Sequence, residues 1–144
     1  VRQVWIWDKI GGGGIGDLDG TLAADTEWII YATKGRFTMH SKRISDIFRH
    51  KKIPPGSRWH PIQKPEALMA NLINVLCEGK NNVLILDPYS GSGSTLTAAR
   101  KLGYKSIGYE LPPDKKQQYT QLMAKQFTRN SSQATMFGPL DSVN

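Results

Sequence analysis

The chain has 144 residues, which is the size of one domain built around one hydrophobic core. Hydrophobic residues make up 39% and charged residues 22%, as in an ordinary globular protein. No apolar run reaches about 18 residues and no leader pattern is visible, so we expect no membrane span. The formal net charge of +7 suits a polyanionic partner. A single cysteine, Cys77, excludes internal disulfides and predicts a cytoplasmic protein.

The first third of the chain combines two predicted strands with a glycine-rich loop. Alternating side chains predict a strand over residues 4–7, and "EWIIYATKGR" predicts another over about residues 27–33. The glycine run at residues 11–14 cannot fill a core and predicts a mobile loop. We expect three tryptophans to lie in the core rather than on a base-stacking surface: Trp5, Trp7 and Trp28.

Residues 34–58 are strongly basic, with eight Lys or Arg against one acid, Asp46. Two prolines and a glycine at residues 54–56 predict an irregular end to this segment. On its charge alone, this segment is by default a solvated face.

The second half alternates predicted helices and strands. A helix is expected over residues 65–78, with proline at its first position and Gly79 after its end. Its apolar face comprises Leu68, Leu72, Ile73, Val75 and Leu76. "NVLILD" predicts a strand covered on both faces, as in a parallel sheet. Further along the chain, the pattern predicts a helix over 94–102, a strand over 104–110, a helix over 114–127 and a polar tail over 128–144.

The stretch "LDPYSGSGST", residues 86–95, is a glycine turn between a predicted strand and a predicted helix. Strand, turn, helix and strand make half of a doubly wound sheet, which binds ligands at its carboxyl edge. A phosphate-binding loop needs a lysine after its last glycine, but Ser94 follows Gly93. A dinucleotide fingerprint needs a third glycine where Leu96 stands, which disfavours NAD but leaves it as an alternative.

A cationic ligand without phosphate fits this turn better, and S-adenosylmethionine is such a ligand. Asp87 at the strand tip can accept hydrogen bonds from its ammonium, and Gly91 and Gly93 allow close approach of the backbone. The predicted helix N-terminus suits its carboxylate. Glu110 lies nineteen positions after Gly91, the spacing at which an acid holds a ribose diol.

Three motifs in order resemble the DNA amino-methyltransferases: "HPIQKP" at residues 60–65, "LDPYSGSGST", and "GYEL". That family methylates the exocyclic amine of adenine (N6) or cytosine (N4). The order is similar to the circularly permuted beta group, in which the cofactor motifs follow the catalytic one. Ile62, Tyr89 and Ser94 depart mildly from the family forms HPTQKP and DPFxGSGTT. The likeness covers residues 1–127, which implies a methyltransferase domain followed by the polar tail.

The resemblance implies S-adenosylmethionine as the cofactor and double-stranded DNA as the partner. It also places "EWIIYATKGR" just before the family's target-recognition segment, which favours phosphate contacts by the basic residues. The candidate cofactor residues are His60, Gln63, Lys64, Pro65, Asp87, Gly91, Ser92, Gly93, Glu110 and Leu111. The candidate DNA contacts are Lys34, Arg36, Lys42, Arg43, Arg49, Lys51, Lys52 and Arg58. The histidines lack metal-ligand spacing, so no metal is predicted.

The family's catalytic tetrapeptide, an Asp, Asn or Ser followed by Pro-Pro and an aromatic residue, is not found. "IPPG" and "LPPD" lack both the amine acceptor and the aromatic ring. In the permuted order the tetrapeptide precedes Val1, so we expect an α/β, Rossmann-like methyltransferase sheet that is incomplete at its N-terminus. No catalytic residue is assigned. A truncated or split module that binds cofactor or DNA without catalysis, and needs a second chain for chemistry, is one alternative; a dinucleotide-dependent oxidoreductase is the other.

Overall fold

A computed structural model describes residues 1–11, 19–39, 43–58 and 63–110. The strands in these residues are β1 (Gln3–Asp8), β2 (Thr26–Tyr31), β3 (Ile47–Arg49), β4 (Leu84–Asp87) and β5 (Lys105–Gly108). The α-helices are α1 (Glu66–Cys77) and α2 (Ser94–Lys101). In this part of the chain no helix has the length and apolarity needed to cross a bilayer. The helix predicted over 114–127, the polar tail and most of the glycine run lie outside the described residues.

Strands β1, β2 and β3 form one sheet in the order β2-β1-β3, which we call sheet A. β1 runs antiparallel to β2, with Gln3 opposite Tyr31, and parallel to β3, with Ile6 opposite Ile47. β3 lies inside the basic segment and was not predicted. Pro55–Ser57 form one turn of 3₁₀ helix where an irregular chain was expected.

Sheet A packs one face against α1. Trp5, Trp7 and Phe48 are buried there together with Leu68 and Val75 of the helix. The indole of Trp5 also stacks on Tyr31, with ring centroids 4.7 Å apart. Two of the three tryptophans therefore lie in the core, as predicted.

The prediction for Trp28 is wrong, because its side chain is 78% exposed. Successive residues of a strand point to opposite faces. In β2 this alternation directs Ile29 and Tyr31 toward the core and leaves Trp28 and Ile30 on the other face. That face is apolar and exposed, and it also carries Val4 of β1.

Strands β4 and β5 are parallel, from Leu84 opposite Lys105 to Asp87 opposite Gly108, and α2 connects them. This confirms the predicted unit of strand, glycine turn, helix and strand. Helix α1 packs on α2 through a second side, where Ile73 is buried with Ala98 and Ala99. The apolar face predicted for α1 thus divides between two clusters.

The expectation that β4 is covered on both faces is wrong. Ile85 packs against the helices, whereas Leu84 and Leu86 are exposed, as is Ile107 of β5. The reason is that the described helices pack on only one face of this two-stranded sheet.

Gly108 allows α2 to approach β5 closely. A Cβ atom at this position would lie 2.5 Å from Cδ1 of Leu96 and 3.0 Å from Cβ of Ser90. Gly108→Ala is therefore expected to lower the free energy of unfolding by about 1–3 kcal/mol through overpacking. Denaturant titration of the variant measures this loss. Gly56→Ala is the control, since a Cβ there meets nothing within 4 Å and should change stability little; equal effects of the two substitutions would contradict the close approach.

Candidate functional site

The two parallel strands β4 and β5 end at the same edge of their sheet. β4 ends at Asp87, and Glu110 follows the end of β5 by two residues. The N–H of Tyr109 donates to the carbonyl of Asp87 at 2.9 Å, which extends the pairing beyond β5. Two carboxylates are therefore brought to one edge, as the sequence predicts.

The glycine loop, residues 88–93, joins β4 to α2 across this edge. Gly91 and Gly93 have positive φ of 50° and 78°, a region that side-chain-bearing residues rarely adopt. Gly93 is the N-cap of α2, and its carbonyl accepts the N–H of Thr97 at 2.9 Å. Ser90 ties the loop to the end of β5, because its N–H donates to the carbonyl of Tyr109 at 2.9 Å. The loop is thus fixed by main-chain hydrogen bonds on both sides.

Both acids at the edge also contact the loop. One oxygen of Asp87 accepts the N–H of Tyr89 at 3.1 Å, so this side chain caps the turn. One oxygen of Glu110 accepts the N–H of Gly91 at 2.6 Å. The second contact was not predicted, although the nineteen-residue spacing brings these two positions together. The carboxylates lie at the two sides of the loop and help to hold its shape.

The described end of the "HPIQKP" segment, residues 63–65, contacts the N-terminus of α2. The buried hydroxyl of Ser94 donates to the carbonyl of Lys64 at 2.8 Å, and the hydroxyls of Ser92 and Ser94 are 3.2 Å apart. Pro65 is buried and is the N-cap of α1, one position before the helix starts. This hydrogen bond brings together two motifs whose contacting residues lie thirty positions apart in sequence.

A charged cluster joins this segment to sheet A. The ammonium of Lys64 donates a hydrogen bond to the carboxylate of Glu27, and Lys9 lies 3.3 Å from the same carboxylate. Partial burial raises the pKa of Glu27, but hydrogen bonds and charge attraction from Lys64 and Lys9 outweigh it and hold that pKa below its usual value. Lys64 and Lys9 also lie over the ring of Trp7, at 5.2 Å and 5.7 Å from its centroid. Glu27 was not predicted as a site residue, and its only signal in the sequence is an acid directly before the apolar run of β2.

Comparison with known proteins identifies the family. The family model for DNA methylases, designated N6_N4_Mtase, matches residues 1–123. The chain belongs to this DNA methylase family.

Two curated relatives agree with this membership. The Type II methyltransferase M2.LlaDCHI of Lactococcus lactis subsp. cremoris is 32% identical over 94 residues, which cover 63% of this chain and 33% of the relative. The putative methylase YubD of Escherichia coli K12 is 38% identical over 78 residues, which cover 54% of this chain and 33% of the relative. The chain thus matches about a third of the length of each relative.

Solved structures of DNA methyltransferases share the fold. The M1.HpyAVI–SAM complex superposes with a TM-score of 0.64 at 25% identity, covering 88% of this chain and 61% of that one. The putative DNA modification methylase TTHA0409 of Thermus thermophilus, complexed with S-adenosyl-L-methionine, gives a TM-score of 0.54 at 22% identity, covering 88% of this chain and 52% of that one. The predicted Rossmann-like methyltransferase fold is confirmed.

Of the remaining cofactor candidates, Gly91, Ser92 and Gly93 lie in the glycine loop at this edge, and Gln63 directly precedes Lys64. Gln63, Gly91 and Ser92 are half-buried, and Gly93 is buried. His60 and Leu111 lie outside the described residues. Of the ten predicted positions, the structure describes eight, in three stretches: residues 63–65, residues 87–93 and Glu110. The Ser94–Lys64 hydrogen bond joins the first stretch to the start of α2, and the Gly91–Glu110 hydrogen bond joins the second to the third.

The predicted DNA contacts that the structure describes are mostly exposed. Arg49, exposed on β3, forms an ion pair of 3.3 Å with Asp8, and the half-buried Arg58 donates through Nε to the carbonyl of Ile53 at 2.6 Å. The other exposed positions are Lys34, Arg36, Arg43 and Lys51. Lys52 is half-buried and Lys42 lies outside the described residues. At least two of the eight side chains therefore have structural contacts within the chain.

Cys77, for which no role was predicted, lies at the end of α1 against the second core cluster. Burial raises the pKa of its thiol, and the nearby charge of Lys80 only partly offsets this. Burial therefore disfavours the thiolate, which is the nucleophilic form of a cysteine side chain.

Proposed function

We propose that this chain binds S-adenosylmethionine at the glycine loop, as the cofactor-binding part of a DNA methyltransferase. In the whole enzyme the methyl group passes to the exocyclic amine of adenine or cytosine. The observation that carries the proposal is the hydrogen bond from Ser94 to Lys64, because it joins the two motifs at one edge with Asp87 and Glu110.

The chemistry of the edge suits this ligand. Asp87 and Glu110 supply negative charge and hydrogen-bond acceptors, which a cationic amino acid with a ribose diol requires. In the proposed pose Asp87 accepts from the ammonium and Glu110 accepts from the diol through the oxygen lone pairs that Gly91 leaves available. The N-terminus of α2 faces the carboxylate. The lysine of the "HPIQKP" motif, Lys64, has its ammonium on Glu27. This lysine is therefore not placed as the phosphate-binding cation of an NTP site is.

The same arrangement defines what this chain contributes to methyl transfer. When bound, S-adenosylmethionine supplies an electrophilic methyl group. The residues described above hold its two ends, and positioning of this kind provides much of the rate enhancement of a bimolecular reaction. The target base would be flipped out of the duplex, and its exocyclic amine would take the methyl group and leave S-adenosylhomocysteine, without a covalent enzyme intermediate. No role in the reaction is accordingly assigned to Cys77.

The group that orients the target amine is proposed to come from a segment or chain other than residues 1–144. "IPPG" and "LPPD" contain neither an amine acceptor nor an aromatic ring. The exposed apolar faces around Trp28 and around Leu86 support the idea that further protein covers this chain. In that case residues 1–144 alone bind the cofactor but do not methylate DNA.

Two assays test the proposal. Calorimetric titration of the chain with S-adenosylhomocysteine and, separately, with NAD is expected to show binding of the first alone; tight binding of NAD alone would make the chain a dinucleotide protein. Methyl transfer from labelled S-adenosylmethionine to DNA is expected to stay at background for residues 1–144. Turnover above background would instead mean that this chain is catalytically complete.

The basic segment is proposed to contact DNA phosphates. Replacing both Lys51 and Lys52 by glutamine should flatten the dependence of DNA affinity on salt, by up to about 1.8 in the slope of log K against log[salt] if both contact phosphate. Binding to duplex DNA measured at several salt concentrations gives this slope. Lys105→Gln, on the exposed start of β5, is the control and should leave it unchanged. An unaltered slope in the double variant would place the DNA on another face.

A further inference from the structure

We propose that Glu27 is a positioning residue of the cofactor site, which holds the ammonium of Lys64 away from the methyl donor and offsets its charge. This inference rests on the proposed function. Glu27 lies on β2, in a strand with no assigned role in cofactor binding, and no position near it in sequence belongs to the cofactor motifs.

The geometry connects Glu27 to the cofactor edge through one residue. The side chain of Lys64 reaches sheet A, where its ammonium contacts Glu27 and lies 5.2 Å from the centroid of Trp7. The backbone of Lys64 faces the opposite way, because its carbonyl accepts the hydroxyl of Ser94 at 2.8 Å. Lys64 therefore bridges sheet A and the N-terminus of α2, and Glu27 fixes the sheet end of that bridge.

Glu27 is held by its own neighbours. Lys9 lies 3.3 Å from its carboxylate and donates a second hydrogen bond to the carbonyl of Ala24 at 3.1 Å. The side chain of Lys9 is only 12% exposed, whereas those of Glu27 and Lys64 are 39% and 42% exposed. The mostly buried ammonium of Lys9 thus orients the carboxylate through one oxygen, Oε1. The other oxygen, Oε2, accepts the hydrogen bond from Lys64.

Charge makes this contact relevant to the ligand. S-adenosylmethionine carries a sulfonium cation, whereas S-adenosylhomocysteine has a neutral thioether at the same position. Without its counter-ion, the ammonium of Lys64 would repel the sulfonium of S-adenosylmethionine but would have little effect on the neutral thioether of S-adenosylhomocysteine. Solvent screens this repulsion only in part, because the site is partly buried. The pairing with Glu27 should therefore favour the methyl donor over the demethylated product.

The simpler interpretation is that Glu27 and Lys64 form an ordinary surface ion pair, which contributes little to stability. Stability alone does not separate the two interpretations. The two interpretations are separated by the dissociation constant for S-adenosylmethionine divided by that for S-adenosylhomocysteine. A purely structural ion pair would affect the binding of the sulfonium and of the thioether equally, so its loss would leave this ratio unchanged.

The test measures both constants by calorimetry for the full chain and its variants. Glu27→Gln, which keeps the shape of the side chain without its charge, should raise the ratio about three- to tenfold. Glu27→Asp keeps the charge, so its ratio should lie between that of the unsubstituted chain and that of Glu27→Gln. Lys64→Gln removes the cation and should lower the ratio, and in the double variant the substitution of Glu27 should have much less effect. The matched control is Glu66→Gln, which breaks the 2.7 Å ion pair between Glu66 and Lys101, outside the cluster.

The possible outcomes separate the two proposals. If the unsubstituted chain binds neither ligand, the proposed function fails and this inference falls with it. If it binds both, and Glu27→Gln leaves the ratio within the range of Glu66→Gln, the positioning role is wrong while the cofactor site stands. If Glu27→Gln does not fold, Lys64→Gln decides: a lower ratio supports the inference, and an unchanged or higher ratio overturns it.

Discussion

Glu110→Ala is expected to weaken the binding of S-adenosylhomocysteine by about 1–3 kcal/mol, which is about five- to 150-fold in dissociation constant. The expected loss has two parts. The proposed diol contact loses its charged acceptor, and the glycine loop loses the 2.6 Å hydrogen bond from the N–H of Gly91. Calorimetry with residues 1–144 measures the change.

Two further variants separate these parts. Glu110→Gln keeps one carbonyl oxygen that can accept the N–H of Gly91, so it should lose less affinity than alanine does. Glu78→Ala removes a carboxylate from the exposed end of α1 and should leave affinity unchanged. Unchanged affinity in Glu110→Ala would mean that the ribose diol is held by another residue.

Leu68→Ala is expected to lower the free energy of unfolding by about 2–5 kcal/mol, because the substitution removes buried methyl groups and leaves a cavity. Leu68 is only 1% exposed and packs among Trp5, Trp7, Phe48 and Val75. The interface of α1 with sheet A depends on this cluster. Chemical denaturation followed by tryptophan fluorescence measures the loss.

The control for this substitution is Leu22→Ala, which removes the same atoms from a side chain that is 95% exposed. Its expected effect lies within about 0.5 kcal/mol of zero. If Leu68→Ala were as mild as Leu22→Ala, α1 would not pack on sheet A as described.

The parts of the fold that the sequence predicts best have strong local signals. The β4–α2–β5 unit combines an apolar strand, two glycines with positive φ and a short amphipathic helix, so its boundaries differ from the predicted ones by only a few residues. The two acids at its edge follow from the parallel pairing of the strands. The positions of these elements and of the two acids are therefore predictable, because they depend on residues that are close in sequence.

Features that depend on distant residues were not predictable. β3 has three residues, too few for alternation to show, and exists because it pairs with β1. In β2 both faces contain apolar side chains, so the sequence cannot tell which of Trp28 and Ile29 faces the core; the packing of α1 decides it. Glu27 acquires its role only because Lys64, thirty-seven positions away, reaches it across the fold.

A crystal structure of this chain with S-adenosylhomocysteine is the most direct measurement for the central claim. The expected result is ligand density across the glycine loop, with the amino group near Asp87 and the ribose hydroxyls within hydrogen-bond distance of Glu110. Density at any other surface of the chain, with this edge left empty, would contradict the assignment of the cofactor site.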